Sequence, residues 1–242
     1  MILLVRGDRE YLRAPGEELQ TDLGVLTVPD DVESGERLET HLGEEFVVRE
    51  PRGPDLFDHF ERTGAPMMPR DIGLVLGLTG VTADDTVLDA GTGTGVLAAY
   101  LGRIGAAVRT YEVDPDFVDV ARENMQLAGV ADTVDVRTGD VTDDLDALAD
   151  GPGFDLLTLD TADAPAVIRR ADELLVSGGF AVVYSPFVEG SRDAVEAARA
   201  AGLDDVTTQE TIQREMQFGD RGSRPDTRGV GHTGYLTVAR RR

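Results

Sequence analysis

The sequence predicts an α/β domain, a mostly parallel sheet flanked by helices, preceded by a small β domain. Three observations lead there. Up to about residue 50 the apolar patches are short, broken by Gly and Pro, and lack any helical period. From about residue 70 strand-like and helix-like segments alternate, the pattern of a parallel sheet with helices on both faces. Within that alternation, the run VLDAGTGTGVL at 87–97 takes a buried strand straight into three glycines and then a helix. With 242 residues and 41% hydrophobic side chains, the chain can bury a core of this size.

In the first region Ile2 to Val5, Tyr11–Leu12, Gly24 to Val28 and Glu45 to Val48 are the expected strands. A Pro- and Gly-rich linker, EPRGPDLFDHFERTGAPMMPRD, surrounds a short amphipathic stretch from Leu56 to Phe60. The expected domains are 1–62 and 63–242. In the second, 72–80 reads as a helix ended by Gly80, 86–91 as a strand, and 95–105 as a helix. A strand at 107–114 leads to a helix at 115–129, punctuated by Pro115 in its first turn and Gly129 at its end. Strands at 134–140 and 154–160, a helix at 164–176, a strand at 178–186 and a helix at 190–201 follow. Strands near 205–212 and 234–240 complete a seven-stranded sheet.

Composition narrows the setting. There are 46 acidic residues against 23 basic ones, every basic residue is Arg, and the net charge is −23. An acidic, Lys-free surface fits strong salt, where the Debye length falls to about 3 Å at 1 M and self-repulsion is screened. A halophilic source is therefore expected. Net charge then says little about partners, and local contrast says more. Residues 221–242 carry six arginines against one acid, Asp226. There is no cysteine, so disulfides and Cys-based metal sites are excluded, and His41, His59 and His232 lack ligand spacing. No apolar run approaches a membrane span, and MILLVRGDREYL lacks the basic region and cleavage site of a signal peptide. The expected compartment is the cytoplasm, with no membrane partner.

The glycine loop carries the chemistry. Gly91, Gly93 and Gly95 let the backbone turn tightly and bring N–H groups toward a ligand. The dinucleotide fingerprint needs a third Gly where Val96 stands, so a nicotinamide dehydrogenase is disfavoured and a ligand without a pyrophosphate is suited. Glu112 ends the next strand, 17 residues past Gly95, where a carboxylate can accept hydrogen bonds from ribose hydroxyls. Asp89, Glu112 and Asp140 fall at the C-terminal ends of successive strands, the side of such sheets where ligands bind.

This loop resembles the first motif of class I methyltransferases of Rossmann-like fold. The resemblance implies S-adenosylmethionine as cofactor. It places the cofactor against Asp89, Gly91, Thr92, Gly93, Thr94, Gly95 and Val96, against Glu112 with Val113, and against Asp140 with Val141, near the adenine amino group. Asp160, ending the fourth strand, would face the methyl group and act as the catalytic residue. Three segments resemble the tRNA adenine-N1 methyltransferases that act on T-loop position 58. They are MMPRDIGLVL at 67–76, Leu159–Asp160 followed by Val167–Ile168, and RPDTRGVGHTGYLTVARR at 224–241. The family's aromatic-Pro-Lys-Asp becomes Met68-Pro69-Arg70-Asp71, its Pro-x-Pro-Trp loop becomes Ala162 to Pro165, and after Tyr184-x-Pro186 its Gln becomes Gly190. The resemblance implies methyl transfer to N1 of adenosine 58, with neighbouring position 57 left open. It also implies tRNA as partner, a homotetramer, and a substrate surface that includes Met68, Arg70, Tyr184, Arg224, Arg228 and His232. The alternatives are a methyltransferase acting on a small molecule or a protein, and a non-catalytic partner subunit. The glycine loop with Glu112, Asp140 and Asp160 argues against the last. Without a Cys, the covalent route to a ring carbon is closed.

Overall fold

The computed structural model describes every residue except Val230, which lies inside the C-terminal motif. The chain divides into two compact units, 1–60 with 127–129, and 61–126 with 130–242.

In the first unit, β1 (Ile2–Arg6), β2 (Arg9–Arg13), β5 (Arg37–Glu39) and β6 (Glu45–Arg49) form an antiparallel sheet in the order β2-β1-β6-β5. β3 (Glu18–Thr21) and β4 (Gly24–Thr27) form a separate hairpin. Ile2, Leu4, Leu19, Leu26, Phe46 and Val48 make its core. The alternation exposed–buried–intermediate–buried–exposed along Glu45–Arg49 is that of a sheet with one wet face. β3 and β5 escape the sequence reading because each is short and offers a single apolar side chain to the core, too little for a period of two to register. The amphipathic stretch becomes α1 (Gly53–His59), with Pro54 in its first turn and Leu56 buried.

The second unit opens with α2 (Pro69–Thr79), closed by Gly80 in the left-handed conformation at φ 67°. Then follow β7 (Thr86–Ala90), α3 (Val96–Arg103), β8 (Ala107–Glu112), α4 (Pro115–Ala128) and β9 (Val134–Thr138). A 3-10 turn at Val141–Asp144 leads through α5 (Leu145–Ala149) to β10 (Phe154–Leu159). After α6 (Ala164–Ile168) and α7 (Ala171–Leu174) come β11 (Leu175–Ser185), α8 (Val188–Ala200) and β12 (Asp204–Glu210). β13 (Met216–Gly219), β14 (Gly222–Pro225) and β15 (Tyr235–Arg240) end the chain. The sheet order is β12-β15-β11-β10-β7-β8-β9. β7 to β11 run parallel, and β15 is antiparallel to both its neighbours. This is the seven-stranded, mostly parallel sheet that the sequence predicts. Leu88, Leu157 and Leu159 from the strands meet Val167, Ile168, Leu174 and Ala197 from the helices in the main core.

Three expectations need correction. The helix read over 164–176 is two short helices, and Leu175–Val176 already belong to β11, where Leu175 pairs with Phe154. A short apolar run such as Leu174 to Val176 is ambiguous between helix and strand until a partner strand is known. The β13–β14 hairpin, whose two-residue turn lies between Gly219 and Gly222, has no counterpart among the expected strands. Its strands are almost wholly exposed, so no hydrophobic alternation marks them. Finally, Arg240 to Arg242, three of the six arginines behind the local positive contrast of 221–242, are engaged by the fold. Arg240 donates to the Gly178 carbonyl and lies over the Phe180 ring, Arg241 donates to the Leu175 carbonyl, and Arg242 pairs with Asp204.

Candidate active site

The glycine loop is locked from below. In register across the sheet, Asp89 lies between Thr110 on β8 and Thr158 on β10. Both hydroxyls donate to its carboxylate at 2.5 Å, and all three side chains are buried. Burial, only partly offset by the two hydroxyls, holds the Asp89 pKa above the usual carboxylate range. Thr92 adds its own hydroxyl to Thr110 at 2.5 Å. Gly91 and Thr92 donate their N–H groups to the Tyr111 carbonyl at 3.0 and 3.2 Å. The N–H of Gly93 donates to Glu112 Oε2 at 2.9 Å, and that of Asp114 to Glu112 Oε1 at 3.1 Å. Glu112 is thus a fixed acceptor at the end of β8, with lone pairs left for two further donors. Val113 beside it is 65% exposed, an apolar lip at the same strand end. Asp140 caps the 3-10 turn by accepting from the N–H and hydroxyl of Thr142, each at 2.8 Å, while Val141 is buried behind it.

Gly91 is required by a close approach. At φ 89°, a Cβ there would stand 2.7 Å from the carbonyl carbon of Asp160 and overlap its oxygen. The main chain of Asp160 passes over this gap, its N–H donating to the Ala90 carbonyl at 2.9 Å. At Gly95 a Cβ would fall 2.7 Å from Cε of the buried Met125, which would have to shift. Val96 opens α3 and is buried.

A strap at 61–67 borders this loop. The fully buried Asn124 on α4 donates to the carbonyls of Glu61 and Thr94 at 3.0 and 2.8 Å, and accepts from the Glu61 N–H at 3.1 Å. The Thr63 N–H donates to Thr94 Oγ1 at 3.2 Å. The strap, the loop, Asp89, Phe117 and Asp160 enclose a narrow cavity of about 120 Å³. A second cavity of about 620 Å³ lies on the other side of Asp160, among Pro165, Tyr184, Pro186, Phe187, Glu189 and Asp193. Size alone does not select the site. A concavity of about 600 Å³ also opens beside Thr86, Ala107, Val134 and Phe154, the first residues of four strands, away from the ends where the acids collect.

Asp160 lines both cavities of the acidic end. Solvent reaches it through the cleft, yet the surrounding protein and the nearby Asp89 raise its pKa to about 7. The unfolded pKa is the ordinary carboxylate value of 3.8, so the folded state binds the extra proton between 3.8 and about 7. Stability therefore falls as pH rises through that window, and the penalty is complete above it. Asp160→Asn is expected to raise the unfolding temperature relative to wild type at pH 8.5 and to give no gain at pH 4. Thermal denaturation at matched salt checks this, and an equal difference at both pH values would refute the assignment.

Segments at 68–71, 184–187 and 232–234, far apart in sequence, meet here. Arg70 donates to Thr233 Oγ1 at 2.9 Å, and Thr233 donates to the buried Asp71 at 2.9 Å. Tyr184 bonds to Thr233, and burial raises its pKa, helped by Asp71 and Asp160. Gly234 leaves room for the Tyr184 ring, whose Cζ would be 2.5 Å from a Cβ. His232 stands between Glu210 Oε1 at 2.7 Å and the Pro186 carbonyl at 2.9 Å. Both are acceptors, so the doubly protonated ring fits, and these bonds raise its pKa, the Pro186 carbonyl most. Met68, Arg70 and Arg228 share a concavity of about 540 Å³. Arg228 also pairs with Asp226 at 3.5 Å, and Arg224 lies exposed on β14, its guanidinium 3.4 Å from Gln217.

The sequence reading missed Thr110, Thr158, Asn124, Asp71 and Phe187. The first three carry no motif signal, since their importance comes from register and packing. Asp71 stood inside a quoted segment without a role, and Phe187 directly follows Tyr184-x-Pro186. Among the described residues no cluster of His, Cys, Asp and Glu fits a metal ion, and no helix is long and apolar enough to cross a membrane.

A sheet of this order, with a glycine loop after the first parallel strand and acids closing the next, defines a class I S-adenosylmethionine-dependent methyltransferase. The family of methyltransferase domains matches residues 87–179. The chain is 33% identical to the tRNA (adenine(57)-N(1)/adenine(58)-N(1))-methyltransferase TrmI of Methanocaldococcus jannaschii, over 97% of this chain and 92% of that one. It belongs to the TrmI family of tRNA adenine-N1 methyltransferases. Two solved structures share the fold. A S-adenosylmethionine-dependent O-methyltransferase from Thermotoga maritima has a TM-score of 0.80 and 23% identity, covering 99% of this chain and 92% of that one. The tRNA (m1A58) methyltransferase TrmI of Aquifex aeolicus has a TM-score of 0.72 and 21% identity, covering 99% and 95%.

Proposed function

We propose that this protein methylates N1 of T-loop adenosines in tRNA, at position 58 and, as the name of the M. jannaschii relative states for that enzyme, at position 57. The observation that carries the reading is the place of Asp160, a shared wall between the cavity at the glycine loop and the cavity beneath Tyr184. When bound, S-adenosylmethionine supplies a methyl group already activated on a sulfonium. The loop from Asp89 to Val96, Glu112 with Val113, and Asp140 with Val141 are the residues to hold it. Their fit rests on the gap at Gly91, the oriented carboxylate of Glu112 and the apolar lip of Val113.

The protein's work is chiefly alignment, because transfer is an in-line displacement. Adenine N1 has a free lone pair, so no base need deprotonate it. The Asp160 carboxylate accepts a hydrogen bond from the exocyclic amine, orients N1 and stabilises the positive charge that grows on the ring. N1 lies on the Watson–Crick edge, so the base must leave its stack to enter the cavity. Met68, Arg70 and Arg228 line one concavity that the RNA would enter, and the exposed Arg224 would reach for phosphate. His232 braces the loop after Tyr184 from behind, because both ring nitrogens are committed to the protein.

We further infer a cytoplasmic enzyme working in strong salt, from its 46 acids and lack of Lys. Salt weakens the counterion-release contribution to RNA binding, so shape, hydrogen bonds and the several binding surfaces of a homotetramer would compensate. The test is transfer of labelled methyl to unmodified tRNA transcript in multimolar KCl, with the product mapped by nuclease digestion and mass spectrometry. 1-Methyladenosine at 57 or 58 is the expected product. Cofactor binding without transfer to any tRNA would overturn the proposal.

A further inference from the structure

We propose that Phe187 is the platform on which the target adenine stacks, an inference that rests on the function proposed above. Phe187 is 70% exposed, although burying such a ring is favourable. It is not a loose surface residue. The Ser185 hydroxyl donates to its carbonyl at 2.9 Å and accepts from its N–H at 3.3 Å. Gly190, in the first turn of α8, makes room for that hydroxyl, which a Cβ would displace. His232 holds the preceding Pro186 carbonyl, and Phe187 itself is the cap residue of α8. The backbone beneath the ring is therefore held from three sides.

The ring lines the same cavity as Asp160 and Tyr184, about 620 Å³ in volume and within the range of small-molecule pockets. The other charged groups lining that cavity are Glu189 and Asp193. A pocket with three carboxylates and an aromatic face repels phosphate and accepts a neutral or cationic heteroaromatic ring. Adenine is such a ring, and its N1-methylated product carries a positive charge, which adds a cation–π attraction to Phe187. Base–aromatic stacking is tolerant of sequence and strong enough to hold a nucleotide that has left its helix.

The test compares wild type, Phe187→Ala, Phe187→Leu and Phe187→Trp on tRNA transcripts in 2 M KCl. Phe187→Ala and Phe187→Leu are expected to lower kcat/KM for tRNA by about 10- to 100-fold. Phe187→Trp should keep most of it, and the calorimetric Kd for S-adenosylhomocysteine should be unchanged in all three. A transcript with 2-aminopurine at the target position supplies a second readout, because stacking on an aromatic ring quenches its fluorescence. Quenching should be lost with Ala and Leu and kept with Trp. Wild-type kinetics and quenching in Phe187→Ala and Phe187→Leu overturn this inference alone. So does a change in particle mass by light scattering on Phe187→Ala, which would show the ring to be covered by a second copy of the chain. A wild-type protein that transfers no methyl group to tRNA overturns the proposed function and this inference with it.

Discussion

Asp160→Ala should reduce kcat for tRNA methylation by about 10²–10³-fold, the usual cost of losing one oriented electrostatic stabiliser. Because Asp160 lines the second cavity as well as the cofactor loop, the loss should fall mainly on kcat, with cofactor affinity changing by less than tenfold. The pH profile makes the role specific. With a pKa near 7, Asp160 is half protonated at neutrality in the free protein, and a protonated carboxyl is a poorer acceptor for the adenine amine. kcat/KM should therefore climb with pH through about 7 and level off above it. The positive sulfonium favours the ionised form, so the kcat profile should turn at lower pH. Asp160→Asn should lie low and flat across the same range. A wild-type profile without a rise near 7, or an Asn variant that retains it, would assign the titration to another group.

Gly91→Ala is the second large effect. The added methyl meets backbone, not a side chain that can swing away, and the φ of 89° is itself strained for Ala. A loss of about 2–4 kcal/mol in stability is expected, together with loss of cofactor binding, since β10 and the loop after β7 would have to part. Gly93→Ala is the informative control. Its φ of 51° costs about 1–2 kcal/mol for Ala, but the nearest atom to a Cβ is 3.8 Å away. Denaturant unfolding and calorimetry with S-adenosylhomocysteine separate the two. If Gly91→Ala proves no worse than Gly93→Ala in both, the close approach to Asp160 does not constrain the site.

Both predictions turn on a contact between segments about 70 residues apart, of which the sequence shows only the two halves. The glycines predicted a tight turn, and Asp160 the end of the fourth strand. That one passes over the other is known only from the pairing of β7 with β10. The same holds for the C-terminal motif. Its Gly-His-Thr-Gly was legible as a signature, but what its parts do was not. Thr233 links Arg70 to Asp71, His232 bridges Glu210 and Pro186, and Gly234 admits the Tyr184 ring.

By itself the sequence determined what depends on neighbours along the chain. The glycine conformations at 91–95, the caps at Pro115 and Gly80, the strand–helix alternation, and hence the sheet and its acidic end follow from local sterics and short-range hydrophobic period. Tertiary structure alone decided what depends on register. Thr110 and Thr158 matter because sheet pairing sets them on either side of Asp89, and Asn124 because α4 brings it to the strap and the loop at once. The break at 168–171 and the polar hairpin at 216–225 were decided the same way. A short apolar or polar run fits either state, and only the strand that accepts its hydrogen bonds chooses between them.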